Sequence, residues 1–400
     1  MRAPRVVFGM NSAFAVRQFL PELLEAVRSR GLQPVVVAPL AEQQAEFADS
    51  FPGVDFRHVS IEREIAPLSD LIALFHMLRL LREIQPAVSD ASTPKMGLLG
   101  GLAAWLAGVP KRIYTLRGLR YQTARGWKRA LLIVCEKVAC RMAHQVICIS
   151  RGVRDAALND GIAPAEKLAL LGERGSEGIA IPTEPAIRDS QIAEFRQRLQ
   201  IPDSAKVIGF VGRLTRDKGV CELVECVRTL QARQRAVHLL LLGEFERGDP
   251  VDAGTAEFIR TSPAVHWMGF VPNPQPFYRL MDLFVFPTYR EGLPKVLMEA
   301  AAQGAPIVST RATGVCDIIE DGLNGVLVPP GDSRALTAAV SDLLDHPEKA
   351  RRLADAGSAL IREHFDNSVY LARFASLMER LAAPGCDDPF PQPLAEVRRL

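Results

Sequence analysis

Two carboxylates eight residues apart, Glu291 and Glu299, and two cations five apart, Arg213 and Lys218, carry the clearest chemistry in this chain. Glu299 is flanked by Val296, Leu297, Met298 and Ala300 to Ala302. A carboxylate in so apolar a setting is expensive unless it accepts hydrogen bonds. The two hydroxyls of a ribose are one such partner; taken alone, Glu299 also reads as a partly exposed residue on an ordinary helix. Arg213 and Lys218 flank a short loop that ends in Gly219. They suit a diphosphate and its stabilisation as a leaving group, or else a solvated loop with two unpaired cations.

The elements that position these groups are legible. An apolar strand ends at Phe286-Pro287, and a polar loop then delivers Glu291-Gly292. Pro294 suits the first turn of a helix, where its missing N–H costs nothing. That helix is expected to run to about Gln303, with Gly304 as its left-handed cap and Pro306 just beyond. Upstream, Val207 to Val211 is a β-branched apolar run. Val220 to Arg233 shows helical spacing at Leu223, Val224, Val227 and Leu230. In a parallel α/β sheet such loops lie at the carboxyl ends of strands, beside helix N-termini that favour anions.

Four hundred residues with 48% apolar content imply two or more domains with substantial cores. The net charge of +2 does not announce a nucleic-acid binder. Seven cysteines form no Cys-x-x-Cys pair and the start is not a signal peptide, so they read as buried thiols in a reducing cytoplasm. Seven histidines form no ligand-spaced cluster, and no structural metal is expected. Met96 to Val109 is apolar but too short to span a bilayer, and reads as a buried helix.

An alternating β/α pattern runs through both halves. In the first, a strand at Arg5-VVFGM leads through Asn11-Ser12-Ala13 to a helix from about Phe14 to Arg30. A strand at Pro34-VVVAP follows, then a helix at Leu68 to Ile84 and a strand at Pro86-AVSDA. A helix at Met96 to Leu106 and strands at Ile113-YTL, Gln145-VICIS and Lys167-LALLG complete it. The expected organisation is a first domain over 1–180, a connection over 181–204 and a second domain over 205–367. A helix over 368–383, amphipathic through Leu371, Phe374, Leu377 and Leu381, is followed by a proline-rich, poorly ordered tail over 384–400.

Together, GRLTRDKG and EGLPKVLME resemble the donor-binding half of the retaining glycosyltransferase family four. Glu291, Gly292, Pro294, Glu299, Gly304 and Pro306 match its Glu-x7-Glu signature, and Arg213, Lys218 and Gly219 its phosphate-binding pair. Gly322, Gly325, Pro329 and Asp332 match the turn and strand that follow. The resemblance covers most of the chain and is strongest over 206–332. It implies the α/β GT-B fold, two Rossmann-like β/α/β domains facing across a cleft. It further implies retaining sugar transfer from a UDP-sugar without metal or other cofactor. In that reading Arg213 and Lys218 neutralise the departing diphosphate, Glu299 holds the ribose and Glu291 the donor sugar. Gly212, Val271, Gly292, Leu293 and Pro294 line the donor, and Ser12 and Ala13 face it from the first half. In GT-B proteins the last helix often returns to pack on the first domain.

Between Asp90 and Glu136 there is no acidic residue, but eight basic ones: Lys95, Lys111, Arg112, Arg117, Arg120, Arg125, Lys128 and Arg129. Tyr114, Tyr121 and Trp127 are interleaved with them. Such a run suits an anionic acceptor, a bilayer face, nucleic acid or simply a solvated face. The segments NSAFAVRQFLPELL, STPKMGLLGGLAAWLAGVPKRIYTLRGLR and AHQVICISRGVRDA are similar to bacterial members that build surface polysaccharides on lipid carriers. Among these are enzymes that add an N-acetylhexosamine to undecaprenyl-diphosphate-linked sugars. The resemblance implies a hexose or N-acetylhexosamine donor and a lipid-linked saccharide acceptor near Lys95, Arg117 and Arg120. It also implies a cytoplasmic enzyme in peripheral contact with the inner membrane face, and no nucleic acid.

Two positions depart from the family pattern. Arg117 in Thr115-Leu116-Arg117-Gly118 replaces a common histidine, which excludes a general base there because arginine stays protonated. Glu177-Gly178-Ile179-Ala180 stands where Asn-Gly-Val-Asp is usual. A sugar-nucleotide epimerase of the same fold would share the donor site, and a non-catalytic GT-B subunit would lack one.

Overall fold

The computed structural model describes residues 3–62, 66–184, 186–383 and 385. Residues 386–400, most of the expected tail, lie outside the described residues. The chain forms two compact units, Met1–Glu177 with Asn367–Leu400, and Gly178–Asp366. Each is a wholly parallel sheet covered by helices, and most strand residues are accordingly buried.

The first unit has strands β1 (Arg5–Gly9), β2 (Gln33–Ala38), β3 (Asp55–His58), β4 (Val88–Ser92), β5 (Lys111–Leu116), β6 (Gln145–Cys148) and β7 (Leu168–Ala169). Their order is β3-β2-β1-β4-β5-β6-β7. The second has β8 (Lys206–Val211), β9 (Val237–Leu242), β10 (Val265–Trp267), β11 (Leu283–Phe286), β12 (Ile307–Thr310) and β13 (Val326–Val328). Its order is β10-β9-β8-β11-β12-β13. Both units thus reverse strand order once, between β1 and β4 and between β8 and β11. In doubly wound sheets that reversal opens a crevice at the carboxyl ends, where ligands bind.

One face of the first sheet is covered by the helices Ala13–Phe19, Pro21–Arg28 and Asn367–Ala382. The last of these inserts Phe374, Leu377 and Met378 against Phe8, Leu20 and Leu24. The other face is covered by Pro67–Ile84, which buries Ala73, Met77, Leu81 and Ile84, and by Pro94–Leu106. The helix Gly126–Met142 lies beside Pro94–Leu106.

Three local expectations need correction. The helix expected from Phe14 to Arg30 is two, because Pro21 has no N–H to donate and begins a new helix after Leu20. Pro294 is the N-cap residue, extended at ψ 103°, and the helix occupies Lys295–Ala302. Residues 181–204, expected as a connection, fall within the second unit and contain the helix Asp189–Arg198.

Within the first unit, the Tyr114 hydroxyl donates to Glu136 at 2.8 Å, and both side chains are buried. Burial pushes the Glu136 carboxyl up to about 7, although the Tyr114 hydrogen bond opposes the shift. The folded value lies above the unfolded one. Stability from this group is therefore full below the ordinary glutamate range and is lost as pH rises through about 7. Glu136→Gln keeps the shape without the charge. It should match the wild type near pH 4 and exceed it at pH 8 by roughly 3 kcal/mol. Urea melts at the two pH values measure this; a gain independent of pH would show that ionisation of Glu136 is not the cause.

Candidate active site

The loops leaving β8 and β11, the strands that flank the reversal in the second sheet, carry the motif residues. After β8 the chain passes Gly212 and Arg213, makes one turn of 3-10 helix at Arg216–Lys218, and enters the helix Val220–Ala232 through Gly219. Gly219 has φ +72°, and a Cβ there would lie 2.0 Å from the carbonyl oxygen of Pro287 at the end of β11. Only glycine allows the two loops to approach this closely.

That approach joins Lys218 to Glu291 in an ion pair, with side chains only 13% and 14% exposed. The Thr288 hydroxyl lies 3.1 Å from the same carboxylate oxygen, and the Lys218 ammonium sits 5.8 Å from the centre of the Phe286 ring. A second pair, Arg290 with Asp217 at 3.1 Å, crosses the same gap. Burial acts to raise the Asp217 carboxyl. The Thr215 hydrogen bond and the charges of Lys218, Arg290 and Arg213 outweigh it and hold the group below its ordinary value. Arg213 is half-exposed and pairs with Glu246.

Glu299 lies within the helix Lys295–Ala302, whose first turn has no side-chain cap. The hydroxyl of fully buried Tyr278 donates to its Oε2 at 2.9 Å. Burial pushes the Glu299 carboxyl above its ordinary value, and Tyr278 and the charge of Lys295 draw it partly back. Leu293 is buried, Gly292, Pro294 and Val271 are largely sheltered, and Val271 follows β10. Lys218 and Glu291 therefore meet at the β8–β11 reversal, Gly212 and Arg213 follow β8 with Arg213 engaged by Glu246 of the loop after β9, and Glu299 lies on the helix that follows β11.

The remaining expected site residues belong to the first unit. Ser12 caps the helix Ala13–Phe19, its hydroxyl accepting from the Ala15 N–H at 3.1 Å, and Ala13 is the first helical residue. Lys95 pairs with Asp70 at 2.6 Å and donates to the Glu62 carbonyl at 2.7 Å. Arg117 pairs with Glu177, their side chains 9% and 6% exposed, and its guanidinium lies 4.1 Å from the centre of the Phe19 ring. Arg120 is exposed in a short 3-10 turn. The basic run is accordingly not one surface. Arg112 is spent on the carbonyls of Val109 and Met142, and Tyr114 and Tyr121 are buried.

Sequence reasoning missed several neighbours of these groups. Asp90, on β4, accepts from the Thr115 hydroxyl at 2.8 Å, and burial pushes its carboxyl up to about 6 against the Thr115 hydrogen bond and the Arg117 charge. Ser92 Oγ, Thr93 Oγ1 and Arg117 Nε are buried without a hydrogen-bond partner among the described residues. Thr93 also holds φ +79°, rare for a residue with a side chain. Strain and unsatisfied polar atoms thus gather at the carboxyl end of β4, beside the first sheet's own reversal, the end at which doubly wound sheets bind ligands. An aspartate inside the apolar strand segment Pro86-AVSDA was the available signal.

Two doubly wound units, one with paired cations and carboxylates at its strand reversal, make up the architecture that nucleotide-binding enzymes commonly use. Two family models match, "Glycosyl transferases group 1" over residues 205–346 and "Glycosyl transferase 4-like domain" over 15–172. The capsular polysaccharide biosynthesis glycosyltransferase CapM of Staphylococcus aureus is 30% identical over 354 residues, 88% of this chain and 91% of its own. The N,N'-diacetylbacillosaminyl-diphospho-undecaprenol alpha-1,3-N-acetylgalactosaminyltransferase of Campylobacter jejuni is 24% identical over 387 residues, 94% of this chain and 99% of its own. Among solved structures, HepE of Anabaena in complex with UDP-glucose aligns with a TM-score of 0.76 at 21% identity, covering 93% of this chain and 98% of that one. The chain belongs to the group 1 glycosyltransferases of the GT-B fold, enzymes that depend on a nucleotide sugar.

The close approach at Gly219 yields a stability prediction. Gly219→Ala adds a clash with the Pro287 carbonyl to the cost of a left-handed backbone, whereas Gly304→Ala, at φ +78° with nothing within 4 Å, meets only the latter. Gly304→Ala should cost about 1 kcal/mol and Gly219→Ala at least about twice that. Equal losses in denaturant titrations would mean that the two loops can separate freely.

Proposed function

We propose that the chain transfers a hexosyl or N-acetylhexosaminyl unit from a UDP-sugar to a polyprenyl-diphosphate-linked saccharide in surface polysaccharide assembly. It does so with retention at the anomeric carbon and without metal, peripherally at the cytoplasmic face of the inner membrane. The observation that carries this reading is the meeting of Lys218 and Glu291 at the β8–β11 reversal, with Arg213 on the same loop as Lys218 and Glu299 on the helix beyond. Capsule assembly in the name of CapM, a diphospho-undecaprenol acceptor in that of the Campylobacter transferase, and UDP-glucose on HepE support it.

The chemistry follows from the charges. As the bond between the anomeric carbon and the diphosphate oxygen breaks, negative charge gathers on the departing UDP. Arg213 and Lys218 balance it with fixed positive charge, and the uncapped amides of the helix Lys295–Ala302 add their dipoles. Lys218 moves from its partner carboxylate to the diphosphate, which frees Glu291 to hold hydroxyls of the donor sugar. Glu299, steadied by Tyr278, accepts from the ribose hydroxyls. The acceptor hydroxyl passes its proton to the departing diphosphate oxygen as its own oxygen bonds to the anomeric carbon. Arg117 cannot take that proton.

Thermal melting with UDP, GDP and ADP, each with and without EDTA, tests the donor assignment. UDP alone should raise the melting temperature, and EDTA should leave the shift unchanged because the side-chain cations do the balancing. Lys218→Ala should lower turnover roughly 100- to 1000-fold. No shift with any nucleotide would remove the donor site. Isomerisation of a UDP-sugar without acceptor would replace transfer by epimerisation. For the ribose contact, Tyr278→Phe should weaken UDP binding about tenfold by calorimetry, since hydrogen bonds to charged groups are the stronger kind. Unchanged affinity in both Tyr278→Phe and Glu299→Ala would overturn the ribose assignment.

A further inference from the structure

A helix that covers a sheet normally buries one stripe and turns a polar one outward. The helix Pro67–Ile84 does not. Its inner stripe is Ala73, Met77, Leu81 and Ile84, and its outer stripe begins with Leu68, Leu71, Ile72 and Phe75, all exposed, with Leu68 at 81%. Only in the last two turns does that stripe become basic, at Arg79 and Arg82. The helix Gly126–Met142 repeats the arrangement: Trp127 at 70% exposure, Leu131 and Val134 come first, and Lys137 and Arg141 follow. Between them lies Pro94–Leu106, packed against both, with exposed Trp105. More than half of the large apolar side chains exposed among the described residues stand on these three adjacent helices.

The charge around these side chains is one-sided. Arg79, Arg82, Arg125 and Lys128 are exposed, while Asp70 is engaged by Lys95, Glu83 by Arg57, and Glu136 is buried against Tyr114. We propose that the outer face of the helices Pro67–Ile84, Pro94–Leu106 and Gly126–Met142 docks on a bilayer surface that contains anionic lipid. Apolar side chains flanked by lysine and arginine are the pattern that lies in a membrane interface, and Trp127 suits the headgroup boundary. A second copy fits worse, since a twofold contact would set these cations against their own equivalents. The contact is shallow, because among the described residues no helix is long and apolar enough to cross a membrane. The biological purpose rests on the lipid-linked acceptor proposed above, but the docking itself does not.

Cosedimentation of the full chain with vesicles tests it, using phosphatidylcholine alone and phosphatidylcholine mixed with phosphatidylglycerol. The wild type should sediment with the anionic vesicles only, and less so at high salt. Ile72→Glu and Trp127→Glu change exposed positions, so folding and nucleotide-induced stabilisation should persist while vesicle affinity falls at least about tenfold. Wild type left in the supernatant, or variants that bind as well as wild type, would overturn the proposal. So would a wild-type dimer that Ile72→Glu dissociates without any vesicle binding. Vesicle binding with no sugar transfer would leave the docking face standing and remove the transferase reading instead.

Discussion

The ion pair between Lys218 and Glu291 is the contact that ties the second unit's two motif loops together. It joins the loop after β8 to the loop after β11, the two strands between which the order reverses. A pair this sheltered is poor evidence for stability, because desolvation consumes most of its attraction. Its presence makes sense as a held charge. The loops could not approach so closely without Gly219 beneath the Pro287 carbonyl, and the Phe286 ring closes the floor. Each of three cations here has a carboxylate: Lys218 has Glu291, Arg290 has Asp217, and Arg213 has Glu246. An anion that bound among them would exchange partners inside a balanced network instead of neutralising bare charge.

The first unit repeats the strand order with different contents. At the carboxyl ends of β4 and β5 the groups are Asp90, Ser92, Thr93, Thr115 and Arg117, few of which read as a motif. The orphaned hydroxyls of Ser92 and Thr93 and the strained Thr93 backbone mark this end of the sheet as built for something other than packing. The duplication is thus one of architecture: the same reversal, with diphosphate-type charges in one unit and hydroxyls around a buried carboxylate in the other.

The parallel α/β architecture and the charged ends of β8 and β11 were legible because they are written locally. A strand, a short polar loop and a helix start carry Arg213 to Gly219 and Glu291 to Gly304 within about twenty residues each. What was illegible is non-local or depends on facing. Tyr278 is 21 residues from Glu299 and meets it only through the fold. The basic run looked like one patch because a count ignores direction, yet β5 turns Tyr114 into the core while Arg112 caps backbone carbonyls. The apolar outer stripe of Pro67–Ile84 was hidden for a related reason. A helix apolar on two sides shows weak periodicity, and periodicity was the signal being read.

The two departures from the family pattern are one departure. Arg117 stands where a histidine is common and Glu177 where an asparagine is, and in this chain they are each other's partner, both less than a tenth exposed. Changing the first alone would leave a guanidinium buried beside Phe19 and a neutral amide. Changing the second alone would bury a carboxylate near Asp90, itself already disfavoured as an anion. Either state costs about 3–5 kcal/mol when one buried charge loses its partner, a large fraction of a domain's stability. The pair is therefore coupled, and neither residue is replaced alone without cost. What it replaces is a titratable imidazole with a permanently charged fork that carries a spare N–H. At this position the first unit holds a fixed charge and a hydrogen-bond donor. Such a pair can orient an oxygen-rich ligand by hydrogen bonds from its guanidinium, but its arginine cannot take a proton from one.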